Sequence, residues 1–236
     1  MQRALTDSRS GFPALSPIRK PRTTADEVEQ RLIIAIARGD KASGERVTEA
    51  EIASALDVSR VPAREAMQKL QLRGILVGGG KRGLRVSDYG RRRIAELFEL
   101  RFALEKIIFQ HAMREGHDKA DLLADLEHIL TRMADLSDSG DPVALSSIDL
   151  DFHRAVARHS GAELAAQMWE GLAQHLIIVF CRDWSKATDR PGEVRLHQKM
   201  IDFLRSGAIA DIDAVLTDHF SEPGLGKGAR TRRPSP

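Results

Sequence analysis

Residues 47–85 read VTEAEIASALDVSRVPAREAMQKLQLRGILVGGGKRGLR, and this stretch decides the fold of the first part of the chain. Its pattern predicts a short amphipathic helix over Glu49–Leu56, a turn, and a second helix that begins after Ser59. A glycine-rich basic β-hairpin follows over residues 75–86. Two short helices followed by such a hairpin are typical of a winged helix-turn-helix, which places one helix in the major groove of DNA.

The second helix of this stretch has two different faces. Ser59 is suited to cap it, because a serine hydroxyl can accept a hydrogen bond from a free backbone N–H, and Pro62 fits within the first turn. Arg60, Arg64 and Gln68 repeat every four residues on a polar face, where arginine can bind guanine or phosphate. The apolar face, predicted to pack on the first helix, carries Ala63, Ala66, Met67 and Leu70. A solvated surface of an ordinary helical hairpin is the alternative interpretation of the polar face.

The hairpin favours the DNA-binding interpretation. Its tip reads GGGKRG over residues 78–83, in which glycines permit a tight turn and close approach of the backbone. Lys81, Arg82 and Arg85 suit contacts to phosphates or to the minor groove. A phosphate-binding loop is not favoured, because the spacing GxxxxGK[ST] is absent.

These motifs resemble the GntR family of bacterial transcription regulators. The resemblance rests on VSRVPAREAMQKLQLRGIL (58–76) and KRGLRV (81–86), and it extends from Asp26 to Val86. Ala50 and Val61 depart from it, since some members have an arginine and a threonine there. The preferred DNA site is therefore expected to differ from theirs.

The resemblance implies specific contacts to DNA. It places Arg60 and Arg64 on DNA, Ser59 on the DNA backbone and the Lys81–Gly83 tip in the minor groove. With the helix face, the predicted DNA-binding residues are Ser59, Arg60, Arg64, Gln68, Lys81, Arg82 and Gly83.

Charge is distributed unevenly along a chain whose net charge is only +2. Residues 1–90 hold 16 Lys and Arg against 11 Asp and Glu, a net charge of +5. Residues 91–221 hold 16 against 22, a net charge of −6, and residues 222–236 hold 4 against 1, a net charge of +3. The basic excess coincides with the winged module, where binding of a polyanion requires it, and the acidic excess argues against nucleic acid in the second part.

The single cysteine, Cys181, excludes an internal disulfide framework and favours the cytoplasm. The N-terminal sequence has no apolar core of signal-peptide length, and no apolar run approaches the ~20 residues of a membrane span. The chain is therefore expected to be a soluble cytoplasmic protein.

Composition and periodicity predict five segments. They are a flexible arm (1–24), a winged helix-turn-helix (25–86), a linker (87–90), an all-helical domain (91–221) and a disordered basic tail (222–236). A helix over 25–38 is expected to be capped by Thr24 and ended by Gly39. The other predicted helices are 91–115, 118–137, 141–159, 161–182, 190–206 and 208–220. The fold class is mainly α, with a small β-hairpin wing and an antiparallel helical bundle.

Asp149 and His153 are separated by four residues in the segment SSIDLDFHRAVARHSG, so they lie on one helical face. His197 and His219 follow on the last two predicted helices, 22 residues apart, and reach the same layer if those helices are antiparallel. Each histidine taken singly is better explained as a polar core or surface residue. His175 is a candidate fifth polar group in the cavity, with core packing as the favoured alternative.

The helical part resembles the FCD domain of the FadR-type regulators within the GntR family, over residues 91–220. The signature is Asp-x-x-x-His on one helix and two later histidines, which Asp149, His153, His197 and His219 match. The resemblance implies one divalent metal ion on these four residues, with zinc the first choice and nickel or manganese possible. It also implies that Arg101, in the segment LRFALE, pairs with an anionic effector. An ion pair with Glu105 is the alternative.

The sequence thus predicts a homodimeric transcription regulator, and specifically a repressor, that is not an enzyme. It is expected to bind an inverted-repeat operator and to respond to a small organic acid, with the linker and the first bundle helix coupling the two parts. A metal site without an effector is the first alternative. A metal-dependent hydrolase is the second, although no acidic residue beyond the four ligands occurs in an obvious general-base motif.

Overall fold

The computed structural model describes residues 23–79, 83–114, 119–137, 141–184 and 190–221. Its first part contains α1 (Thr24–Arg38), α2 (Glu49–Leu56), α3 (Arg60–Leu72), β1 (Arg46–Val47), β2 (Leu76–Gly78) and β3 (Leu84–Val86). Its second part contains α4 (Arg91–Arg114), α5 (Lys119–Ser137), α6 (Pro142–His159), α7 (Glu163–Trp184), α8 (Arg190–Ser206) and α9 (Ile212–Ser221). The predicted fold class is confirmed. Most of the predicted arm, the predicted tail, Lys81 and Arg82 lie outside the described residues.

Helix α1 begins one residue earlier than the sequence suggested. Thr23, not Thr24, is the N-cap, and it forms a capping box in which its hydroxyl accepts from the Asp26 backbone N–H. The Asp26 carboxylate accepts the Thr23 backbone N–H in return. Two adjacent threonines fit the cap pattern equally well in the sequence, because Asp26 lies three positions after Thr23 and Glu27 lies three positions after Thr24. The structure shows that Thr23 is the cap. Gly39 ends the helix at φ 86°, as predicted.

The turn between α2 and α3 depends on Asp57. Its φ of 50° is the one left-handed conformation among the described non-glycine residues, and it ends α2. Ser59 occupies the N-cap position of α3, but its side chain makes no capping hydrogen bond, contrary to expectation. The predicted apolar face is confirmed, because Ala63, Ala66, Met67 and Leu70 are all buried. This burial fixes α3 on α1 and α2 and turns its polar face outward.

The wing is part of a three-stranded antiparallel sheet in the order β1–β3–β2. The sequence predicted the hairpin of β2 and β3, and Leu76 pairs with Val86 in its register. It did not predict β1, whose Val47 pairs with Leu84. A strand of two residues is too short to show the alternating pattern by which strands are predicted. Here β1 is a strand because its backbone pairs with β3.

The six predicted bundle helices are present, and the last is preceded by a 3-10 turn at Ile209–Asp211. Helix α7 packs against α4 and α6 and also against α1 of the winged module. The fully buried Trp169 lies on this helix. The two parts of the chain therefore share α7 as a common support.

The sequence led us to expect no segment of membrane-span length, and α7 departs from that expectation. By length and composition alone, Glu163–Arg182 is apolar enough to cross a membrane, with a mean hydropathy of 1.2, and no other described helix passes the same test. However, 56% of this stretch is buried within the fold. A helix that is covered by α1, α4 and α6 needs few charged residues, which explains its composition.

Candidate metal centre and nucleic-acid interface

The fold brings together the four residues that the sequence singled out as metal ligands. Asp149 and His153 lie on α6, while His197 and His219 reach them from α8 and α9. One potential ligand atom from each residue lies within 4.8 Å of the other three, and all four side chains are buried. The group can therefore hold a metal ion.

Two of the distances within the cluster fit a shared ion. His153 Nε2 lies 3.2 Å from His219 Nε2, and His197 Nε2 lies 3.2 Å from Asp149 Oδ1. Ligands bound at about 2.0–2.1 Å to one ion are separated by about 2.9–3.4 Å in octahedral or tetrahedral geometry. Three imidazoles and one carboxylate also form a donor set that suits zinc, nickel or manganese.

Outer contacts orient two of the imidazoles. His197 Nδ1 lies 2.8 Å from the Glu193 carbonyl oxygen, so this nitrogen donates and Nε2 is left for the cluster. His153 Nδ1 lies 2.9 Å from Glu105 Oε2. A carboxylate or carbonyl behind a histidine is the usual support of a metal ligand, since it fixes the tautomer and the ring orientation.

Arg101 lies beside the cluster and is almost completely buried. Its Nε donates to Glu105 Oε1 at 2.7 Å, and its Nη2 lies 2.7 Å from His153 Nε2 and 3.8 Å from Asp149 Oδ2. The ion pair with Glu105, which was the alternative to pairing with an anionic effector, is thus present, and the guanidinium also lies beside the cluster. Arg101 places a positive charge where an anion bound at the centre would meet it.

Glu105 is a site residue that the sequence reasoning missed. It contacts Arg101 and His153, and its Oε1 also accepts a hydrogen bond from Trp169 Nε1 at 3.0 Å. The signal in the sequence is its spacing of four from Arg101, which predicts an ion pair but not a contact with the cluster. Burial reveals its role, because a carboxylate that is 1% exposed needs several partners.

The electrostatics of the centre favour metal-binding protonation states in three of the four ligands. Burial lowers the pKa of His153. Burial also lowers the pKa of His219, and repulsion from the neighbouring positive groups lowers it further. Burial opposes ionisation of Asp149, but His197 and Arg101 hold its pKa below the usual value. His197 differs, since the Asp149 carboxylate outweighs burial and raises its pKa. Neutral imidazoles and an ionised carboxylate are the forms that bind metal.

His175 does not belong to this centre, which corrects its candidacy as a fifth cavity group. Its Nδ1 lies 2.9 Å from the Tyr89 hydroxyl, and its Nε2 lies 2.8 Å from the Arg73 carbonyl oxygen. Arg73 directly follows α3, and Tyr89 lies in the segment that joins the two parts. His175 therefore connects α7 to the winged module.

The polar face of α3 is exposed, as a groove-binding face must be. Ser59, Arg60, Arg64 and Gln68 all lie on the surface. Arg64 makes a bidentate ion pair with Glu49, at 2.8 and 2.9 Å. This exposed pair holds the guanidinium in place, and a DNA phosphate or guanine would have to replace the Glu49 carboxylate.

Gly83 is the one predicted wing-tip contact within the described residues. Its φ is 70°, and a side chain there would meet the Arg46 Nε at 2.9 Å. The positive φ favours glycine at this position, whereas the exposed Arg46 side chain could move to make room for a larger residue. Lys81 and Arg82 lie outside the described residues.

Comparison with known proteins identifies both parts of the chain. Residues 24–86 match the family model described as "Bacterial regulatory proteins, gntR family", and residues 96–222 match the FCD domain. The chain is 27% identical to the "Probable D-xylose utilization operon transcriptional repressor" of Paenarthrobacter nicotinovorans, over 84% of this chain and 86% of that protein. It is 28% identical to the gluconate operon transcriptional repressor of Bacillus subtilis, over 78% of this chain and 71% of that protein.

A solved structure shares the fold. The Escherichia coli McbR/YncC structure superposes with a TM-score of 0.68 at 18% identity, over 84% of this chain and 94% of that chain. At this identity the similarity establishes the architecture alone. The two relatives named above are transcription repressors by description, not enzymes.

The contacts of Glu105 generate a prediction about stability. Glu105→Ala leaves Arg101 as a buried charge without its main partner, so we expect the free energy of unfolding to fall by about 3–5 kcal/mol. Glu170→Ala is the matched control, because its ion pair with Arg154 is partly exposed, with the two side chains 51% and 33% exposed, and a pair of this kind is worth about 0–1 kcal/mol. Urea unfolding in the presence of a chelator measures both. A small and equal loss in the two variants would contradict the importance of Glu105.

Proposed function

The chain belongs to the GntR family of bacterial regulatory proteins and carries an FCD domain, and from this we propose that it is a cytoplasmic repressor controlled by a small carboxylate. DNA-binding transcription regulation is the function of the family. The convergence of Asp149, His153, His197 and His219 carries the finer proposal, because a buried set of metal ligands in the second domain provides a place for an effector to bind.

We propose that α3 enters the major groove of an operator. Its exposed residues Arg60, Arg64 and Gln68 face away from the core, with Ser59 at the helix start suited to the DNA backbone. Lys81, Arg82 and Gly83 at the wing tip are proposed to contact the minor groove. The Arg64–Glu49 pair restrains the arginine side chain before binding, which reduces the entropy lost when it contacts DNA.

Arginine substitutions test this interface. Arg60→Ala and Arg64→Ala are each expected to weaken specific DNA binding by about 1–3 kcal/mol, the usual value of a bidentate base contact. The measurement is a gel-shift titration at fixed salt, with a DNA fragment selected by the wild type from random sequences. Arg31→Ala is the matched control, since Arg31 is an exposed arginine of the same module on α1. Unchanged affinity in both α3 variants would remove this helix from the groove.

We propose that the protein is a homodimer on an inverted repeat, because one winged module offers limited contact area and paired modules read two-fold DNA. The helical domain has exposed apolar residues on α4 and α7 that are suited to contact a second copy of the chain. Leu100 and Ile107 on α4 and Leu164 and Met168 on α7 are exposed large hydrophobic residues, and Leu100 and Met168 line one surface groove. Soluble proteins seldom leave such a face uncovered.

Light scattering tests the dimer and its face together. We expect Met168→Glu to shift the free protein from dimer to monomer, because it buries a charge in the apolar contact. Val61→Glu, at an exposed apolar residue on α3, should remain dimeric without DNA. A wild-type protein that is monomeric both free and on DNA would rule out the homodimer.

We propose that the four buried ligands hold one divalent cation per chain, with zinc as the first choice and nickel or manganese as alternatives. The cation would supply a positive charge and open coordination positions at which a carboxylate can replace water. Elemental analysis should find one ion in the wild type and a clear loss in His197→Ala. His128→Ala, at an exposed histidine, should keep the ion. Full metal content in His197→Ala would remove that residue from the site.

We propose that the effector carboxylate pairs with Arg101 beside the metal. The guanidinium lies 3.8 Å from Asp149 Oδ2 and next to His153. An anion bound at the metal would therefore contact two positive groups, the cation and Arg101. Gluconate is a small carboxylate, and the operon name of one relative makes it a reasonable first compound to test. A metal that only stabilises the fold is the alternative, and it predicts no effect on DNA affinity.

Helix α7 provides a contact route from this centre to the DNA-binding module. Trp169 donates to Glu105, which contacts His153, and six residues further along α7 His175 contacts the Arg73 carbonyl after α3. Six residues of helix span about 9 Å. Gln174 adds a second contact, because its Oε1 accepts from Arg73 at 2.9 Å. This route supplements the linker and α4, on which the sequence placed the coupling.

Operator binding with and without effector tests the switch. A carboxylate found by thermal-shift screening should change operator affinity by about 5–150-fold, and only when metal is present. An effect that survives complete metal removal would show that the metal does not anchor the effector. In His175→Phe, which cannot bridge Tyr89 and Arg73, we expect this change to shrink while metal content stays the same. An undiminished change in His175→Phe would exclude the α7 route.

A further inference from the structure

A cavity of about 360 Å³ lies between the winged module and the helical bundle. It is bounded by the end of α1, the segment that follows α1, the start of α6 and the end of α7. None of the four metal ligands lines it, so it is separate from the metal centre. Its volume falls within the ≈ 300–1,000 Å³ range of small-molecule sites, which occur preferentially at domain interfaces.

The walls of this cavity are mostly apolar. Ile36 from α1, Val143 from α6 and Ile178 and Cys181 from α7 all contribute to the lining. These residues come from both parts of the chain, and α1 packs directly on α7. An apolar molecule in the cavity would therefore remove surface of both parts from water, which stabilises their contact.

The charged residues of the lining are all positive. Arg38, Lys41 and Arg182 line the cavity, and none of the described acidic residues does. Lys41 pairs with Glu45 at 2.8 Å, and Arg38 and Arg182 present guanidinium groups that can bind an anion in a bidentate manner. Both Nη atoms of Arg182 lie 3.4 Å from the Tyr89 carbonyl oxygen, which holds this guanidinium at the cavity.

We propose that this interdomain cavity, defined by Ile36, Arg38, Val143, Ile178 and Arg182, binds a small amphipathic carboxylate as a second ligand site. The carboxylate pairs with Arg38 and Arg182, and the apolar body packs on Ile36, Val143 and Ile178. Because such a ligand contacts both parts of the chain, it favours the placement of the winged module seen here. Its binding requires neither metal nor DNA, so it can be tested independently of the function proposed above.

Fluorescence titration with anilinonaphthalene sulfonate, an apolar anion, tests the site in the full-length protein with chelator present. We expect octanoate to displace the cavity-bound probe, and octanol, which has the same chain without the charge, to displace it much less. Arg38→Gln and Arg182→Gln should each weaken octanoate binding about three- to tenfold, as expected for the loss of a partly exposed charged contact. Val143→Trp should fill the cavity and abolish the octanoate-sensitive signal.

Matched controls separate this site from other apolar surfaces. Arg205→Gln, at an exposed arginine on α8, should bind octanoate like the wild type. Met168→Glu should reduce only the fluorescence of probe bound to the exposed apolar face of α4 and α7. His197→Ala should bind octanoate like the wild type. Circular dichroism verifies folding of each variant. Equal octanoate affinity in wild type, Arg38→Gln and Val143→Trp, or equal displacement by octanol, would overturn the proposal.

Discussion

The buried guanidinium of Arg101 constrains the rest of the helical domain. A charge that is withdrawn from water costs several kcal/mol unless ionised and hydrogen-bonded partners surround it. Glu105 supplies the main partner, and burial would disfavour its charged form were it not for Arg101 and His153, which lower its pKa to about 2. The aromatic rings of Phe180 and Phe220 lie against the guanidinium, at 5.0 and 4.5 Å from their centroids. Helices α4, α6, α7 and α9 must therefore keep one arrangement to satisfy this charge.

That requirement also positions the candidate metal ligands. His153 lies between Glu105 and the cluster, so the carboxylate that neutralises Arg101 also orients an imidazole. Trp169 gives the buried Glu105 carboxylate a further partner by donating its indole N–H. The same contacts thus stabilise the fold and prepare the centre. Four helices contribute to this network, since Arg101 and Glu105 lie on α4, His153 on α6, Trp169 on α7 and Phe220 on α9.

Helix α7 transmits the constraint toward the winged module. It contributes Trp169 to the network around Arg101, and it contributes Gln174 and His175 to polar contacts with Arg73. His175 also contacts the Tyr89 hydroxyl through Nδ1. Burial lowers the pKa of the His175 imidazole, which favours the neutral ring. A neutral ring donates through Nε2 and accepts through Nδ1, so both contacts can form at once. The position of α3 relative to the bundle therefore depends on specific hydrogen bonds as well as on apolar packing.

The sequence by itself determined the elements whose signals are local. Periodicity gave the helices, the buried face of α3 and the exposure of Arg60 and Arg64, because a helix repeats every 3.6 residues. The spacing of Asp149 and His153 placed both on one face, and family resemblance added His197 and His219. The sequence did not distinguish neighbouring residues that fit the same local pattern equally well, as Thr23 and Thr24 do for the N-cap of α1.

Only the tertiary structure decided which distant groups meet. Glu105 and Trp169 are 64 residues apart, and His175 and Arg73 are 102 residues apart, so no local pattern links them. The two-residue strand β1 exists because β3 pairs with it, and the interdomain cavity exists because α1 packs on α7. The two residue pairs, the strand β1 and the cavity have one physical reason in common. Local propensity specifies which face of an element is apolar, whereas the partner of a buried polar group is specified by the packing of whole helices.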